Sequence, residues 1–104
     1  LGATRLASGV TKTVSVLGRG GVPTSGVSSV AVNVTAVNPD RAGNLAVFPA
    51  GAAVPTASNL NFVANQTIPN LAITKIGVSG RVAAKNNSPA TLHLIADVFG
   101  YVRS

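Results

Sequence analysis

Acid–base or nucleophilic chemistry in this chain would have to come from Asp40, Asp97 and His93, the only acids and the only histidine among 104 residues. His93 and Asp97 lie four positions apart in LHLIADVFGY. On one face of a strand their Cα atoms would be roughly 13 Å apart, at ~3.3 Å per residue. That is too far for the direct hydrogen bond that couples a base to its partner. Asp40 falls in NPDRAGN, where a local side-chain turn accounts for it. A glycosidase pair would have to combine Asp40 with Asp97, one of them in that turn. One histidine and two aspartates do not supply the ligands of a zinc-type site. A calcium site assembled from Asp97, amides and carbonyls would be weak. Cysteine is absent, which excludes disulfides and thiolate ligands. These counts predict no enzyme, no cofactor and no dedicated metal site.

Binding chemistry has more material. The stretch SNLNFVANQTIPN (58–70) alternates Asn59 and Asn61 with Leu60 and Phe62, and Asn33 interrupts the apolar run VSSVAVNVTAV. An asparagine amide both donates and accepts, which suits the hydroxyls of a sugar. The same amides can equally satisfy backbone groups where loops cross a sheet edge, and that structural role takes precedence in our reading, for Asn70 as well. Asp97 sits among apolar residues in LIADVFGY. A buried carboxylate must be paired or hydrogen-bonded, so Asp97 reads first as a structural bracket, with Arg5 a candidate partner, and second as a ligand contact. As a bracket, its replacement by alanine would destabilise the fold by roughly 3 kcal/mol. There is no Trp, and the three Phe residues are expected in the core, leaving Tyr101 as the ring free to stack on a ligand. The candidate ligand-binding residues are therefore Asn33, Asn59, Asn61, Asp97 and Tyr101. Three tripeptides, starting at Asn33, Asn65 and Asn86, match the glycosylation sequon, which is short enough to arise by chance.

The elements that must position these groups are strands. Hydrophobic residues make up 46% of the chain and charged residues only 10%, which excludes a disordered chain. The polarity comes from Ser, Thr and Asn, and Val and Thr pack well on pleated surfaces. VSSVAVNVTAV (27–37) puts Val30, Val32 and Val34 on one face and Ala31, Asn33 and Thr35 on the other. Turn signals recur every eight to twelve residues: GRGGVPTSG, NPDRAGN with Gly43 able to take positive φ, PAGAAVPTAS, VSGR as a tight hairpin, and NNSPA. This spacing predicts one all-β domain, an antiparallel β-sandwich of jelly-roll type with seven or eight strands and no substantial helix. The expected core is Val14, Val16, Val30, Val32, Val34, Leu45, Val47, Leu60, Phe62, Leu71, Ile73, Val82, Leu92, Leu94 and Val98.

Eight Lys and Arg against two acids give a net charge of +6. An anionic partner would be attracted, but the cations are spread singly and are not interleaved with aromatics, as single-strand nucleic-acid binders require. No apolar run reaches the ~20 residues of a membrane helix. The chain begins at Leu1, and the reading is a piece processed from a longer precursor.

The motifs GRGGVP (18–23), GVSSVAVNVTAVNP (26–39), VFPAG (47–51), PTASNLNF (55–62), NQTIPNLAI (65–73) and IADVFGYV (95–102) together resemble a module of secreted actinobacterial proteins. That module occurs in tandem copies or beside hydrolases acting on cell walls or polysaccharides. The resemblance implies secretion and a non-catalytic accessory role: binding of a polysaccharide or cell-wall glycan on behalf of attached domains. The alternative is a structural spacer or self-assembly unit with no soluble ligand. Two departures accompany it. Relatives carry an Arg-Leu-Leu-Asp-Thr-Arg-like segment of which Thr4-Arg5 remains, with Ala3 at the position of the acid. Some relatives carry cysteines at the positions of Ala50 and Ala83, which implies that these alanines lie on neighbouring strands.

Overall fold

The computed structural model describes residues 4–104, so the position of Ala3 lies outside the described residues. Among the described residues there are eight strands: β1 (Thr4–Leu6), β2 (Thr11–Ser15), β3 (Val27–Val37), β4 (Gly43–Pro49), β5 (Leu60–Phe62), β6 (Ile68–Lys75), β7 (Arg81–Asn86) and β8 (Leu92–Arg103). They form two four-stranded antiparallel sheets. The first has the order β1-β8-β3-β6 and the second β2-β7-β4-β5. This interleaving is the double Greek-key order of an eight-stranded jelly roll. The only helical element among the described residues is a 3₁₀ turn, Val78–Gly80.

Alternation on β3 fixes the first sheet. Val30, Val32, Val34 and Ala36 are buried, while the residues between them stay partly exposed. Leu92, Leu94 and Ala96 of β8 join them, and Leu45, Val47, Leu60, Phe62, Val82 and Ala84 face them from the second sheet. Val14 and Val98 pack against this core while only partly buried.

Leu71 and Ile73 depart from the expected core: they are 52% and 70% exposed. The register pairs Val32 with Ala72 and Val30 with Thr74, so the inward face of β6 carries Ala72 and Thr74. A one-residue slip would turn Leu71 and Ile73 inward, but pairing with the valine face of β3 sets the register. VSGR is also not a hairpin. β6 and β7 belong to different sheets, and the 3₁₀ turn carries the chain across between them. Gly80 does take positive φ there, at 69°. In NPDRAGN the positive φ belongs to Asn38, at 48°. Gly43 is needed for space instead, because a Cβ there would sit 1.9 Å from Ser88 Cβ. Asp40 makes a long-range bridge in place of a local turn: its Oδ1 accepts the Thr91 N–H at 2.9 Å, and its own N–H donates to Thr91 O. Ala50 and Ala83 lie on or beside neighbouring strands, but the register sets Ala83 opposite Phe48, so the two alanines are diagonal, not directly opposed.

Candidate functional site

The outer faces of the two sheets differ. On the second sheet, Ala46, Phe48 and Ala83 form a small buried cluster of their own. On the first sheet the outer face is open, and three adjacent rows of its register cross β6, β3 and β8. The middle row is Leu71, Asn33 and Asp97. On one side lies Pro69, Thr35 and Ile95; on the other, Ile73, Ala31 and Gly100.

A bulge completes the last row. Val32 pairs with Val98 but Ala31 pairs with Gly100, which leaves Phe99 as the extra residue of β8. Bulges re-aim side chains, and Phe99 is 73% exposed, two positions beyond Asp97. The expectation that all three Phe residues are buried therefore fails at Phe99. Phe99 is the more exposed ring, and Tyr101, 37% exposed, has a cation over one face. The Arg103 guanidinium carbon lies 5.8 Å from the Tyr101 ring centroid.

Asp97 is not the structural bracket. Its side chain is exposed and makes no hydrogen bond or ion pair among the described residues. Its cross-strand partner is Asn33, which is half-buried and also without a side-chain hydrogen bond there. Alternation explains this outcome: Ala96 and Val98 take the inward positions, so Asp97 must point out. The apolar residues around it belong partly to the opposite face.

The bracket that the fold does contain is Asn86. It is fully buried, and its Nδ2 donates to Leu6 O at 3.1 Å and to Ala90 O at 2.7 Å. The Ser88 hydroxyl donates to Asn86 Oδ1 and accepts the Ala90 N–H. One side chain thus ties β1, β7 and the entry to β8. NNSPA reads as a turn, and nothing in its composition distinguishes the first asparagine as buried.

Asn59 and Asn61 are engaged by the protein itself. Asn59 Oδ1 accepts the Val47 N–H at 2.7 Å, and Asn61 Oδ1 accepts the Ser58 hydroxyl at 2.9 Å. Asn70 Nδ2 donates to Asn59 O, linking β6 to the β5 region across the side of the sandwich. Both candidates sit in or beside β5 of the second sheet. The five candidates therefore separate into Asn33 and Asp97 on the open face, Asn59 and Asn61 at the β5 edge, and Tyr101 against Arg103.

Among the described residues the molecule has two recesses. One of about 430 Å³ opens between β2 and β8, and Val16, Arg19, Val32, Asp97 and Val98 are among its lining residues, so it adjoins the candidate face at Asp97. Another of about 450 Å³ surrounds the Asn86–Pro89 turn. The Asn33 face is a surface, not a pocket. No group of three His, Cys, Asp or Glu side chains able to hold a metal occurs among the described residues. No helix among them is long and apolar enough to cross a membrane.

In comparisons with known protein families, curated proteins and solved structures, the chain shows no match.

Proposed function

We propose that this chain is a non-catalytic extracellular module that binds a polysaccharide or cell-wall glycan through the open face of its first sheet, on behalf of attached domains. One observation carries the reading. An amide and a carboxylate that make no side-chain hydrogen bond among the described residues lie side by side at the centre of that face, beside an exposed phenyl ring. Asn33 can donate to and accept from a sugar hydroxyl, and Asp97 accepts one. Phe99, Leu71 and Ile73 offer apolar area to the C–H faces of the ring. Apolar lining with a few placed polar groups is the usual composition of a ligand site. The exposure of the row formed by Leu71, Asn33 and Asp97 favours an extended polymer lying across the strands over a small ligand enclosed on all sides. The resemblance to secreted wall-associated modules points the same way.

A second reading, a spacer or assembly unit, is favoured by the engagement of Asn59 and Asn61 with the protein's own groups.

The test is a pull-down with insoluble polysaccharides and actinobacterial cell walls at low and high salt. The chain is expected to be retained in high salt, because exposed charge attraction is screened there while a hydrogen-bonding face is not. Asn33→Ala, Asp97→Ala and Phe99→Ala should each weaken retention about tenfold, equivalent to ~1.4 kcal/mol. The same three variants should melt within about 0.5 kcal/mol of the parent, as surface substitutions do. The 3 kcal/mol expected of a bracketing Asp97 is thereby replaced. Retention lost in salt would assign the interaction to the +6 charge, and unchanged retention by the variants would remove this face from consideration.

A further inference from the structure

We infer that β6 is a self-association edge, which pairs antiparallel with β6 of a second copy in a register centred on Ala72. Among the described residues the backbone of β6 pairs only with β3, and its other side is a sheet edge of eight residues, crossed by the Asn70 side chain on its way to Asn59 O. Unpaired edges are templates for another strand, and Pro and Lys are the residues that blunt them; β6 has Pro69 and Lys75 near its two ends, which confines the open stretch to residues 70–74. Two facts show which backbone groups face outward. Ile76 N–H donates to Ser28 O towards β3, so by alternation the N–H and C=O of Leu71, Ile73 and Lys75 point away from it. Pro69 has the same parity, and its missing N–H is tolerated in a strand only where that position faces an edge.

The occupant is chosen by self-complementarity. Centred on Ala72, the two-fold sets Leu71 against Ile73 of the other copy and Lys75 against Pro69. Leu71 and Ile73 then exchange backbone hydrogen bonds while their exposed side chains cover each other on the outer face. Lys75 is the only charge on the strand. In this register it never meets its own copy, whereas an in-register parallel pairing would stack the two lysines. Lys75 N–H donates to Pro69 O. The one carbonyl left without a partner by the proline is Lys75 O, and it already accepts the Thr74 hydroxyl at 3.2 Å. The arrangement joins two first sheets into one continuous surface, placing two Asn33–Asp97 pairs on the same side.

The lack of native cysteine makes the test clean. Chains carrying Leu71→Cys and Ile73→Cys are mixed in equal amounts and oxidised under native conditions. Directly opposed residues have Cα atoms about 5.5 Å apart, within disulfide range. The mixed disulfide should therefore exceed both same-variant products well beyond its random share. In sedimentation, the unmodified chain should dimerise at sub-millimolar concentration. Ile73→Pro, which deletes an outward N–H and leaves the bonds to β3 intact, should remain folded and monomeric. A monomeric unmodified chain, or disulfides in random proportion, would overturn the inference. If Ile73→Pro does not fold, the disulfide distribution decides alone. None of these outcomes depends on a glycan being bound.

Discussion

Replacing Asn86 with alanine is expected to lower stability by about 3 kcal/mol and the melting temperature by about 15 °C for a domain of this size. The side chain is fully buried and holds Leu6 O, Ala90 O and the Ser88 hydroxyl. Alanine leaves two buried carbonyls without their amide donor and a buried hydroxyl without its acceptor. Each orphaned group costs about 1–3 kcal/mol, and no water replaces the amide without opening the packing around Leu6, Ala90 and Leu92, all of which are buried. The backbone adds to the consequence. Asn86 N–H donates to Val10 O and Gly9 N–H donates to Asn86 O, so the β1–β2 connection hangs on the same residue. Asn86→Asp separates donor from acceptor: it keeps an oxygen for Ser88 but offers no N–H to either carbonyl. It should fall at least as far as alanine in thermal melts followed by circular dichroism. A small loss for both variants would show that the hydrogen bonds contribute little beyond turn formation.

The second large effect is expected at Gly77, where the chain leaves the first sheet for the second. Gly77 N–H donates to Arg81 O at 2.9 Å, Val78 N–H donates to Ala50 O at 2.9 Å, and Ala50 N–H donates to Arg81 O at 3.2 Å. These bonds press the backbone of Gly77 against that of residues 49 and 50. A Cβ at Gly77 would lie 2.2 Å from Ala50 O and 2.3 Å from Ala50 N. Both are backbone atoms, so no side chain can swing aside. With φ of −103° the position suits any residue conformationally; space alone demands glycine. Gly77→Ala should therefore cost about 3 kcal/mol, at the upper end of overpacking effects, by parting the β4 end from the 3₁₀ turn. Gly9→Ala is the contrasting control. Its Cβ would meet nothing within 4 Å, leaving only the strain of φ at +76°.

The fold was legible because β3 states its own face. Three buried valines alternate with Ala31, Asn33 and Thr35, and turn clusters separate the remaining strands. β6 was not legible, since both of its parities carry apolar residues and the choice between them is made by pairing with β3. Size misleads here: Leu71 and Ile73 look like core, yet Ala72 takes the inward position. Phe99 was hidden by a bulge, a feature that alternation does not encode. Asp97 was placed in an apolar environment because residues of both faces are adjacent in sequence, although they separate in space. Of the candidate site, Asn33 and Asp97 were found from residue type, while their pairing and the adjacent ring required the sheet order. Places where an apolar residue defies its pattern are where function is to be sought, and Leu71, Ile73 and Phe99 all fall on the face that carries Asn33 and Asp97.

The proposed function places binding on that face of the first sheet. Its most direct test is an amide ¹H–¹⁵N titration with soluble fragments of a polysaccharide that retains the chain. The predicted result is a contiguous set of shifts at Asn33, Leu71, Asp97 and Phe99, including the Asn33 side-chain amide, with Asn59 and Asn61 unmoved. Shifts centred on Asn59, Asn61 or Tyr101, or no shifts at saturating ligand, would contradict it.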